Sequence, residues 1–188
     1  KMAATRSSLV NLAWQICLHR QKTKMRNLSD SSILSTCKFL EMSKPIAKIS
    51  ITNLLHNLKT LQNQAQQSKI IAMVKANGYG HGICQISENL ENHIHGFGVA
   101  RIDEALFLRQ AGIKAPIMLA EGVFQKDDLE ICARQNFEPV FHNALQLEWI
   151  ADSKLSKPIK AWIKINSGMN RLGLDFAESK AAHQILSD

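Results

Sequence analysis

Five short apolar runs recur along the chain at intervals of about 20 to 26 residues, and no other feature limits its possible folds so sharply. They read KIIAMV (69–74), HGFGVA (95–100), PIMLA (116–120), FEPVF (137–141) and IKAWIKI (159–165). Each is followed by a longer stretch whose apolar residues fall at helical spacing. Ile83, Ile86 and Leu90 mark one such helix, and Ala105, Leu108 and Ala111 another, with Gly112 as its stop signal. Further helices are expected near 125–135, 143–152 and 175–187. Ahead of the first run, Leu54, Leu55, Leu58 and Leu61 predict a helix behind Ser50, a plausible cap, while Ile46–Ile51 reads as strand-like. A βα unit repeated at this period predicts parallel strands joined by right-handed helical crossovers. A doubly wound sheet and a (β/α)8 TIM-type barrel both satisfy the pattern. No GxGxxG follows the first strand, which counts against a dinucleotide-binding sheet. If the fold is a barrel, about five of its eight strands lie in this sequence.

Charge separates the first 41 residues from the rest. The chain carries a formal +7, of which +5 falls in residues 1–41 and only +2 in the remaining 147. That leader is basic and rich in Ser and Thr but shows no recognised nucleic-acid-binding pattern, so no nucleic-acid partner is expected. Its apolar stretch LVNLAWQICL (9–18) is about half the ~20 residues a membrane span needs, so no membrane partner is expected either. HRQKTK follows it with no small-residue cleavage site, which argues against a secretory signal, and the leader is expected to contribute nothing to the fold. Cys17, Cys37, Cys84 and Cys132 form no CxxC pair and have no histidines at zinc spacing; reduced thiols in a cytoplasmic protein fit best, with no metal site.

In a barrel the catalytic groups sit just past the C-terminal ends of the strands. Here those positions hold Lys75, Arg101, Glu121, His142 and the loop from Asn166 to Arg171, all expected on one rim. A lysine at a buried strand end can lose its charge by desolvation and form a Schiff base with an aldehyde, which makes Lys75 a candidate nucleophile; the plainer alternative is a lysine snorkelling out of the mouth. In the following loop, Tyr79 offers a hydroxyl for a phosphate while Gly78, Gly80 and Gly82 allow close backbone approach. Arg171, flanked by Gly168 and Gly173, could clamp a carboxylate or donate to a phenolate oxygen. Lys164 can point inward or outward. Arg101, Glu121 and His142 are weaker candidates, since structural ion pairs also gather at barrel rims.

MVKANGYGHG (73–82) resembles the cofactor-lysine signature of the alanine racemases. The opening MSKPIAKISITNLLHNL from Met42, GVARIDEALFLRQAGI (98–113) and IKINSGMNRLGL (163–174) resemble the same family, so the likeness spans Met42 to Asp188. It implies the N-terminal portion of a TIM-type barrel, with the C-terminal β-domain of the family absent from these 188 residues. It further implies pyridoxal 5'-phosphate as cofactor, alanine as substrate, a cytoplasmic homodimer, and interconversion of L- and D-alanine for peptidoglycan precursors.

By the same resemblance Lys75 binds the cofactor covalently and later serves as the base on the D-alanine face, and Tyr79 hydrogen-bonds the cofactor phosphate. Arg171 lies near the phenolic oxygen and the substrate carboxylate, Met169 contributes backbone to the substrate site, and Lys164 matches a lysine that some members carbamylate to hold that arginine. The family's second acid–base group is a tyrosine from the partner's β-domain, whereas this chain has one tyrosine, Tyr79. The 188 residues alone are therefore expected to lack racemase activity and to aggregate. Gly78 replaces the family's usual alanine, and Asn166 and Ser167 stand where many members have Asp and Thr. The alternatives are another pyridoxal-phosphate barrel enzyme, a broad-specificity racemase or decarboxylase, or a non-catalytic product.

Overall fold

The computed structural model describes residues 46–65 and 67–187, and Ala47–Asp188 forms one compact unit. The expectations for residues 1–41, LVNLAWQICL included, lie outside the described residues. All five strand runs are strands: β1 Ile71–Met73, β2 Gly96–Val99, β3 Ile117–Leu119, β4 Phe137–Phe141 and β5 Trp162–Ile163. The helices are α1 Ile51–Gln64, α2 Ile83–Leu90, α3 Ile102–Gln110, α4 Asp128–Gln135, α5 Ala144–Ala151 and α6 Phe176–Ser187. Ile46–Ser50 is not a strand. Ser50 instead caps α1, its side chain accepting from Asn53 N at 3.2 Å, and Ile46 is 82% exposed, with no strand beside it among the described residues. Among the described residues no helix is long and apolar enough to cross a membrane.

The sheet order is β1-β2-β3-β4-β5, every neighbouring pair parallel. This order decides between the two architectures left open by the periodicity. A doubly wound sheet reverses its strand order at a switch point and places helices on both faces, whereas sequential right-handed crossovers place every helix on one face. Burial shows the second arrangement. Phe97, Val99, Ile117, Leu119, Phe137 and Phe141 are buried and share a core with Leu58, Ile86, Leu108, Leu129 and Leu147 of the helices. The pairing Met73↔Gly98↔Met118↔Glu138 runs across the other face, and Val140↔Trp162 continues it. Met73 and Trp162 are 37% and 43% exposed there. This is a singly wound wall of five βα units, the N-terminal portion of a barrel.

Glycines let the strands of this wall close up. A Cβ on Gly96 would lie 2.7 Å from Pro116 O, and one on Gly98 would collide with Met73 Sδ. The last strand is shorter than IKAWIKI predicts, because β5 pairs only through Trp162 and Ile163. Leu174 extends the ladder instead: Leu174 N donates to Lys164 O and Asn166 N donates to Leu174 O, both at 2.8 Å.

Candidate active site

Beyond the end of β1 the backbone does something rare. Ala76, Asn77, Gly78 and Tyr79 all have φ between 53° and 63°, a left-handed turn that costs a non-glycine residue roughly 1–2 kcal/mol. Such strain persists only where the surroundings over-determine it, and it clusters at functional sites. The determinants here are identifiable. Gly78 N donates to Val74 O at 2.7 Å, Gly80 N to Ala76 O at 3.1 Å and Gly82 N to Asn77 O at 2.9 Å. Asn77 Oδ1 accepts from Ile83 N, the first residue of α2, at 3.0 Å. Across the sheet, Glu104 Oε1 accepts from Ala76 N at 2.6 Å. The N–H groups of Gly78, Gly80, His81 and Gly82 all donate to carbonyls of residues 74–78. Positive φ is what the glycines supply, and the turn leaves Tyr79 60% exposed.

The turn places Lys75 at the mouth of the wall. Its Nζ lies 3.8 Å from Glu121 Oε1, both side chains partly buried. Lys164 follows Trp162 with inward parity, which settles its direction, and its Nζ donates to Ala120 O at 2.5 Å, beside Glu121. Desolvation is the main force lowering the Lys164 amine below the usual lysine range; the Glu121 carboxylate opposes it, while the Arg171 and Lys75 cations push the same way. Lys75 thus pairs with Glu121, and the Lys164 amine feels the charges of Glu121, Arg171 and Lys75. Among the described residues Arg171 has no carboxylate within ion-pair distance. Its loop is held by Asn166 Oδ1, which accepts from Gly168 N and Asn170 N, each at 3.1 Å, with Met169 exposed at the tip.

Not every predicted rim residue joins this cluster. Arg101 turns away to Asp103 at 3.6 Å and lies over the Phe124 ring. His142 braces the rim rather than facing it, its Nε2 3.0 Å from Glu121 O. Two residues that the sequence reading passed over organise the site. Glu104 ties the Lys75 turn to the end of β2, and buried Gln146 donates to Glu121 O at 3.2 Å and Val123 O at 3.0 Å while accepting from His142 N. Each stands three residues past a helix N-cap, but only Gln146, behind Asn143, fits a capping-box signature in the sequence; Arg101 before Glu104 does not. Cys132 is excluded as a nucleophile, since burial pushes its thiol up to about 12.

A singly wound parallel wall of five βα units with a lysine at the end of its first strand defines the N-terminal portion of an α/β barrel. The chain belongs to the alanine racemase N-terminal domain family, whose model matches residues 49–188. The alanine racemase of Pasteurella multocida is 46% identical over 149 residues, 79% of this chain and 41% of that protein. The crystal structure of the biosynthetic alanine racemase from Pseudomonas aeruginosa superposes with a TM-score of 0.70 at 33% identity, covering 73% of this chain and 38% of the other. The alanine racemase structure from Acinetobacter baumannii gives 0.68 at 38% identity, over 73% and 39%. The chain thus spans about two-fifths of the length of the relatives it matches.

Proposed function

We propose that this chain supplies the cofactor-lysine half of an alanine racemase site that uses pyridoxal 5'-phosphate, working on alanine as part of a cytoplasmic homodimer. The barrel portion of that enzyme runs from Met42, with residues 1–41 a leader outside it. The observation that carries the reading is Lys75, which stands directly before a strained turn and 3.8 Å from Glu121, with the Lys164 amine under the influence of Glu121, Arg171 and Lys75 itself. These cations suit a ligand bearing a phosphate, a phenolate and a carboxylate.

Pyridoxal phosphate, when bound, supplies an electron-withdrawing ring that acidifies the substrate's Cα–H. The protein's contribution is positional. Lys75 Nζ is the attachment atom and afterwards the base that takes and returns the proton on one face. The Tyr79 hydroxyl would donate to the phosphate, leaving the turn's own amides to hold Lys75. The Arg171 guanidinium holds the substrate carboxylate or the phenolic oxygen, with Met169 backbone beside it. Lys164, its charge disfavoured by burial and by the Arg171 cation, would hold Arg171 only once carbamylated, and its neutral amine is the form a carbamate would be built on.

Borohydride reduction of the chain incubated with pyridoxal phosphate, followed by peptide mapping, is expected to place the label on Lys75, and Lys75→Ala is expected to abolish it. A label on Lys164 instead would overturn the assignment.

A further inference from the structure

Glu104 sits at the third position of α3, yet its carboxylate serves two elements at once. Oε2 accepts from Ala100 N at 2.8 Å and Arg101 N at 3.3 Å, closing the N-terminus of α3. Oε1 reaches 28 residues back in the sequence to accept from Ala76 N at 2.6 Å. Ala76 is the first left-handed residue after Lys75, with φ 53° and ψ 49°. Its N–H belongs to the peptide bond that joins it to Lys75, so fixing that N–H fixes the plane from which the Lys75 side chain departs. Among the described residues, this is the only one of the bonds holding the turn that is given by a side chain of another βα unit.

We propose that Glu104 is a positioning residue for Lys75, acting through the Ala76 amide to hold the left-handed turn that aims the lysine at the barrel mouth. The inference rests on the reading of Lys75 as the cofactor lysine and goes beyond it. Only a carboxylate of this length does both jobs. Gln has the same reach but one acceptor oxygen, so its NH2 must face either the Ala76 N–H or the N–H groups at the start of α3, donor against donor. Asp is one methylene too short to span both.

The test compares Glu104→Gln with Glu130→Gln in the full chain. Glu130 is a matched control away from the mouth, its two oxygens accepting from Arg134 Nε at 2.8 Å and Ser156 N at 3.0 Å. Each protein is incubated at low micromolar concentration with pyridoxal phosphate and cyanoborohydride, the label is mapped by peptide, and the melting temperature is recorded. Glu104→Gln is expected to lower the rate of Lys75 labelling by roughly 10- to 100-fold, the cost of a displacement on the order of 1 Å, and to raise the share of label on Lys164. Glu130→Gln is expected to leave the Lys75 rate unchanged whatever it does to the melting temperature.

Equal Lys75 labelling in both variants would assign Glu104 to helix capping alone and overturn the proposal. If Glu104→Gln does not fold, replacing Ala76 with lactic acid, which removes the one N–H and leaves the α3 cap intact, decides the matter by the same readout. Lys75 unlabelled in the unmodified chain would instead sink the cofactor-lysine reading, and this inference with it.

Discussion

Lys164 shows how much of a site's chemistry is fixed by what surrounds a residue. In the folded chain its amine is pushed down, first by desolvation and then by the Arg171 and Lys75 cations, against the pull of Glu121. Its folded value therefore lies below its unfolded one, and in the window between the two the unfolded chain binds more protons, so stability rises with pH there and is lowest below the folded value. The consequence for reactivity can be measured. Acetic anhydride labelling across pH should give Lys164 a midpoint below that of a free lysine side chain. Glu121→Gln removes the opposing carboxylate and should lower that midpoint further, whereas Arg171→Ala should raise it. A midpoint that moves the other way in either variant would show that these charges do not govern the amine. Lys75 was legible as a candidate in the sequence because a lysine closing an apolar run is a local pattern. The inward direction of Lys164 was not, since parity along one strand names two faces without saying which is covered by helices.

At the scale of elements, the connections after β1 and β3 carry the site, and each is held by a side chain from the helix of the next βα unit. Glu104 of α3 holds the first. Gln146 of α5 holds the second, and Gly122 is the residue it packs on. Gly122 has φ 69°, and a Cβ there would lie 2.5 Å from both Gln146 Nε2 and Val140 O. The carbonyl belongs to strand backbone and cannot give way. Gly122→Ala is thus expected to destabilise the chain by about 2–4 kcal/mol, the left-handed penalty plus overpacking, read as a lower midpoint in urea. An unchanged midpoint would show that this loop relaxes freely. Most of the strands and helices were legible from periodicity, yet Ile46–Ile51 reads as strand and folds as the lead-in to and first residue of α1, and IKAWIKI yields only Trp162–Ile163. Both differences have one cause. A strand exists only where a neighbour accepts its hydrogen bonds, and apolar alternation does not report whether that neighbour is there.

For the whole molecule, the described sheet pairs β1 and β5 on one side only and leaves its inner face with Met73 and Trp162 exposed. Open edges and an uncovered apolar face drive association. The 188-residue chain by itself is expected to self-associate as its concentration rises, which light scattering would detect. It is also expected to interconvert L- and D-alanine no faster than free pyridoxal phosphate, as followed by chiral chromatography. Racemisation needs proton exchange on both sides of one carbon, and the single tyrosine, Tyr79, lies on the same turn as Lys75. A monodisperse monomer with cofactor-dependent racemisation would overturn both expectations.

The sequence by itself determined the order of elements, the parallel βα repeat and the lysine at the end of the first strand. Each of these is written in a window of a few turns or one strand, where spacing and side-chain type suffice. Only the tertiary structure decided that the sheet is singly wound, that Lys164 faces the mouth while Arg101 turns to Asp103, and that Glu104 grips the peptide after Lys75. The physical reason is distance along the chain. The bond from Ala76 to Glu104 spans 28 residues and that from Lys164 to Ala120 spans 44, and such contacts exist only once strand register has brought the strand ends to one rim.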